Sequence, residues 1–170
     1  MKAFKIIILC VAGSFIVLGL GCYGIYKLAI NAASSQEPLF FFEKTVESAK
    51  RGDYRMAAMY HTTAIAYGLY DMKRVSDKTS HQCIPIIRSA VLKSLTKEEK
   101  EKTQKAIQAL DESSVQNWLA TIGSPSYYPK YMVAHGINPP KEVPPQGFDP
   151  EVAWQESIDE AYKLTRPKNN

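Results

Sequence analysis

The chain has 170 residues, of which 45% are apolar and 22% charged, a balance that excludes a mainly disordered, collagen-like or disulfide-dense protein. That length suits one domain, or one domain plus an anchor. The formal charge of +4 comes from the N-terminus: setting aside Lys2, Lys5 and Lys27, the 21 basic residues become 18 against 17 acidic ones. The body is therefore near neutral and lacks the basic stripe that neutralises phosphates, so no nucleic-acid partner is expected.

Ile6 to Tyr26 is an uncharged run, and as a helix its 21 residues would span roughly 31 Å, the thickness of a bilayer core. Lys2 and Lys5 precede it and only Lys27 follows at once, which predicts a cytoplasmic N-terminus and an extracytoplasmic body. A cleaved signal would want a shorter apolar region and an A-x-A-like site. A lipoprotein site at Cys22 is also disfavoured, because Gly19 and Leu20 stand in the wrong order. The retained anchor is the preferred reading: a single pass through an inner (plasma) membrane, with residues 1–27 as anchor and 28–37 as linker. Cys10 and Cys22, twelve positions apart, lie about 18 Å apart on one helix and cannot pair. Cys83 is the one body cysteine, beside Ile84, and is expected to be a buried thiol.

The body, residues 38–166, reads as all-α, a bundle of about five helices. The first runs from about Pro38 to Arg51, with Leu39, Phe42, Val46 and Ala49 on one face and Gly52 as its stop. The second runs from near Asp53 to about Arg74. Its stretch Met56 to Tyr70 carries no formal charge, too short and polar for a membrane span but suited to a central buried helix. Gly52-Asp53-Tyr54, with Ala57, Tyr60 and Ala64, resembles the turn and second helix of a tetratricopeptide unit, over roughly residues 41 to 66. The resemblance implies an antiparallel helical hairpin and no binding residues, since no second copy follows.

The third helix lies within Ser80 to Leu95, with an apolar stripe of Ile84, Ile87, Val91 and Leu95 and Pro85 in its first turn. The fourth opens on the capping pair Thr96 and Glu99, with Glu98–Lys102 and Glu101–Lys105 on a solvated face and Ala106, Ile107 and Leu110 inward. Ser113 or Ser114 restarts a helix carrying Val115, Trp118, Leu119 and Ile122, which Gly123 ends. Seven of the ten prolines fall in the excursion 124–150, with room for one short helix from Pro129 to His135. Asp149 then caps a last helix with Trp154, Ile158, Ala161 and Thr165 inward, and 167–170 reads as a frayed tail.

No catalytic motif stands out. Ser94-Leu95-Thr96-Lys97 matches a Ser-x-x-Lys pattern, but its companion motifs are missing and Thr96 serves better as a cap. His61, His81 and His135 lack zinc-ligand spacing, so neither metal nor cofactor is expected. The unusual segment is Tyr127, Tyr128, Tyr131, Met132 and His135, flanked by proline-rich loops. On a short helix Tyr127, Tyr131 and His135 would share a face, and aromatics with polar tips are enriched at recognition surfaces. The expectation is a non-catalytic interaction protein that holds a protein partner at the outer face of the membrane. It would serve as an accessory subunit of an envelope assembly or as an immunity-type inhibitor. The alternative is a small ligand-binding or hydrolytic domain using His135 or His81.

Overall fold

The computed structural model describes residues 33–138 and 142–165. The expected anchor, Ile6 to Tyr26, lies outside the described residues. Among those described, no helix is long and apolar enough to cross a membrane. A folded unit begins at Ser34. Its described part is all-helical, with seven α-helices and no strand. They are α1 (Pro38–Lys50), α2 (Tyr54–Arg74), α3 (Cys83–Leu92), α4 (Lys97–Ala109), α5 (Glu112–Ile122), α6 (Lys130–His135) and α7 (Pro150–Leu164). A 3-10 turn, Ser80–Gln82, leads into α3. The seven include both the helix expected to restart after Leu110 and the short one allowed within the proline-rich excursion, so they outnumber the expected bundle of about five.

Each boundary has a local cause. Pro38 starts α1, where its missing N–H is no loss. Gly52 ends the hairpin turn at φ 79°, in the left-handed region glycine tolerates, and its N–H bonds the carbonyl of Ala49. Asp53 then caps α2 by accepting from the Met56 N–H. Thr96 and Glu99 form the expected reciprocal capping box. Asp149 accepts from the N–H groups of Glu151 and Val152, with Pro150 as the first helical residue of α7. One cap differs from expectation. Asp111, not Ser113 or Ser114, caps α5, accepting from the Ser114 N–H while the Ser113 hydroxyl braces the same oxygen.

α2 is the central helix and packs against α1, α4, α5 and α7. Its contact with α1 is the most extensive in the molecule and is closed by the three-residue turn Arg51–Asp53. Ala57 and Ala64, fully buried, let neighbouring helices approach α2 closely. Ala58, Leu69, Ile107, Val115, Leu119, Ile158 and Ala161 form the largest apolar cluster, which draws on α2, α4, α5 and α7. Tyr67 lies at the centre, edge-on to Phe41 of α1 and Trp154 of α7, with its hydroxyl donating to the Gly123 carbonyl at 3.0 Å. Phe41 and Phe42 are both buried, whereas Leu39, expected on the inward face of α1, is exposed.

α3 packs differently. It leans on α1 and α6, and of its ten apolar-rich residues only Cys83 and Ile84 are buried. Ile84 reaches α2 at Gly68, where an added Cβ would lie 2.8 Å from its Cδ1.

Candidate functional site

The tyrosine segment converges on one buried carboxylate. Asp71, near the C-terminal end of α2, is fully buried and accepts four hydrogen bonds. Arg74 donates to Oδ1 through Nε at 2.8 Å and Nη2 at 2.6 Å. The Tyr127 hydroxyl donates to Oδ2 at 2.7 Å and the Tyr131 hydroxyl at 2.5 Å. Arg74 also donates through Nη1 to the Tyr127 carbonyl at 2.7 Å, and its guanidinium lies over the rings of Tyr70 and Tyr127. Burial pushes the Asp71 carboxyl up, while Arg74 and the two tyrosine hydroxyls oppose that shift. Burial and the nearby Asp71 charge push the phenols of Tyr127 and Tyr131 well above their ordinary range. Every lone-pair direction of the carboxylate is used, so the cluster is a lock between the proline-rich segment and α2.

The five residues of the expected binding surface therefore divide. Tyr127 and Tyr131 point inward to Asp71, and Met132 is fully buried beside Val75 and Cys83. Tyr128 is 50% exposed, and His135 is exposed at the end of α6. The shared helical face does not form, because α6 starts only at Lys130 and Tyr127 precedes it. Pro129 explains the late start: it disfavours helical backbone in the residue before it. The neighbouring loop is pinned too. Asp77 accepts from Thr79, and its Oδ2 takes the Asn138 N–H at 2.9 Å.

The histidines have separate settings. His81 places Nε2 2.8 Å from the Val75 carbonyl. His61, on α2, is buried edge-on to Phe42, and burial with the Arg88 charge lowers it to about 3. Arg88 of α3 places its Nε 3.0 Å from His61 Nε2. A guanidinium only donates, so Nε2 accepts and the neutral ring carries its proton on Nδ1. That Nδ1 is buried with no hydrogen-bond partner, as is Thr103 Oγ1 on α4. Cys83 is buried and its thiol pushed up to about 11, chiefly by burial, which suppresses the nucleophilic thiolate. Among the described residues no three His, Cys, Asp or Glu side chains gather as a metal site.

The concave surface lies elsewhere. Because α3 leans on α1 and α6, an open groove remains between it, α2, α4 and the end of α7. One end is lined by His61, Arg88, Lys100, Thr103 and Gln104. The middle adds Ile65, Ile107 and Leu164. The other end, about 360 Å³, is walled by Ile65, Leu69, Met72, Ile84, Pro85 and Leu164. Arg88 lines the groove along its whole length, Leu92, Leu95 and Ile107 join the donors at the first end, and His81 and Gln82 join the apolar wall at the other. Among the described residues its lining holds no Asp or Glu, and its polar groups include Arg88, Lys100, Thr103, Gln104, Gln82 and the imidazoles of His61 and His81. No spacing pattern points to this groove: His61 and Arg88 are 27 positions apart, and α3 reads as ordinary core. No protein-family model matches the chain, and neither a curated protein nor a solved structure is similar to it.

Proposed function

We propose that this chain is a non-catalytic helical binding protein, anchored in an inner (plasma) membrane through residues 6–26. Its body lies on the extracytoplasmic side and engages a protein partner, as an accessory subunit of an envelope assembly or as an immunity-type inhibitor. The anchor and its orientation rest on the uncharged run and its flanking lysines. The binding role rests on one observation above all: an open groove runs beside α3, with Ile84 and Pro85 in its wall and Leu164 at its rim, and Ile86 of α3 is left 52% exposed. A face of that kind is costly to leave in water unless something covers it. The buried reactive groups support a non-catalytic reading, since Asp71, Tyr127, Tyr131 and Cys83 are all engaged in packing or internal hydrogen bonds.

The test is affinity capture of the tagged full-length protein from gently solubilised native membranes, with stoichiometry quantified. A stoichiometric protein partner is expected in the membrane fraction. Recovery of the chain alone would contradict a stable binding role, and turnover of a substrate lost on changing His81 or His135 would favour an enzyme.

A further inference from the structure

We propose that the groove between α2, α3, α4 and the end of α7 receives a segment of a protein partner that presents a carboxylate beside large apolar side chains. This deepens the reading of the chain as a protein-binding module and rests on it. The polar end of the groove has an excess of donors. Arg88 spends Nε on His61, and among the described residues its guanidinium has no carboxylate partner. Lys100, across the same end, has no ion pair among the described residues either. The lining of that end contains no Asp or Glu. His61 Nδ1–H and the Thr103 hydroxyl are buried there without partners, an arrangement that native proteins rarely leave unsatisfied. Arg88 is exposed, so its two Nη groups are open to a docking partner.

An acceptor-only anion answers this set of donors, and a carboxylate fits a guanidinium fork in the bidentate manner. Apolar side chains accompany the donors throughout, Leu92, Leu95 and Ile107 beside Lys100 and Leu69 and Met72 beside Arg88, and Leu164 stands at the rim 63% exposed. The groove is open along one side, which suits side chains projecting from a docking segment better than a small molecule needing enclosure.

The experiment pans the full-length chain, held in neutral phosphatidylcholine nanodiscs, against a displayed library of random peptides, with empty nanodiscs subtracted. Enriched peptides are expected to carry Asp or Glu close to Leu, Ile or Phe. Leu164→Asp is expected to weaken them roughly tenfold or more. Arg88→Glu is expected to move the selection toward Lys- or Arg-bearing peptides, its fold checked by a cooperative thermal transition. Val152→Asp, exposed on α7 and outside the groove lining, should change nothing. Leu164 and Val152 are both exposed, so neither variant is at risk of misfolding. No enrichment over empty discs, enrichment without acidic residues, or indifference to both groove variants would each overturn the proposal. The two readings fail differently. A native partner that Leu164→Asp still captures overturns the groove and leaves the binding role, whereas the absence of any native partner overturns the role itself.

Discussion

Asp71 is a buried carboxylate held by one guanidinium and two phenols, and its energetics follow from that count. Hydrogen bonds to a charged group contribute about 1.5–3 kcal/mol each, so Tyr131→Phe should lower unfolding stability by about that amount. Tyr128→Ala, at a half-exposed side chain, should stay within about 0.5 kcal/mol of the wild type. Denaturant midpoints of the two variants check the inward placement directly. Equal losses would mean that Tyr131 does not reach the carboxylate. His61 gives a second residue-scale expectation. Unfolded, it takes a proton near pH 6.5; folded, burial and Arg88 hold it neutral down to about 3. The unfolded state therefore binds more protons throughout that window. The His61 contribution to stability is full above pH 6.5 and falls by about 1.4 kcal/mol per unit as the pH drops toward 3. Unfolding of the wild type and His61→Gln at pH 7 and pH 4.5 should show the smaller pH loss in the variant.

At the scale of elements, caps and stops were the most legible part of the sequence, because each acts within three or four residues. Thr96 with Glu99, Asp149 with Pro150, and Gly52 after α1 all stand where local chemistry puts them. Thr96→Ala should cost about 1 kcal/mol, read as a lower thermal midpoint. The shared face expected of Tyr127, Tyr131 and His135 does not form, for an equally local reason. Spacing of four implies one face only if the helix already exists, and Pro129 delays α6 until Lys130. The tyrosines turn inward because Asp71 and Arg74, two of the charges that follow the long neutral stretch of α2, wait beneath them. Nothing in the spacing of either segment joins positions 71 and 131. The lock extends to the loop, where an added Cβ on Gly136 would lie 2.4 Å from Asp77 Oδ2. Asp77 is held by Thr79 and Asn138 and cannot yield freely. Gly136→Ala should therefore loosen the excursion and speed limited proteolysis within 136–149. An unchanged cleavage rate would mean that the loop is pinned elsewhere.

At the scale of the whole molecule, the all-helical class and the central position of α2 follow from the apolar pattern, since one long uncharged helix must be covered on all sides. The groove does not follow, because it depends on where α3 fails to pack. Ile87, Val91 and Leu92 pack partly against the core, and the direction in which α3 leans, toward α1 and α6, leaves Ile84, Pro85 and Arg88 beside open space. The pairing of Arg88 with a neutral buried His61 is likewise a product of assembly. The tetratricopeptide-like pattern describes the α1–α2 hairpin and reaches no further, and the helices around it follow no repeat.

The central claim is that binding occurs at the α2–α3–α4–α7 groove and not at the tyrosine segment. The most direct measurement is quantitative capture of the native partner by three forms of the full-length protein: wild type, Leu164→Asp and Tyr128→Ala. The expected result is a stoichiometric partner with the wild type and Tyr128→Ala, reduced roughly tenfold or more with Leu164→Asp. Loss of the partner with Tyr128→Ala and its retention with Leu164→Asp would contradict the account.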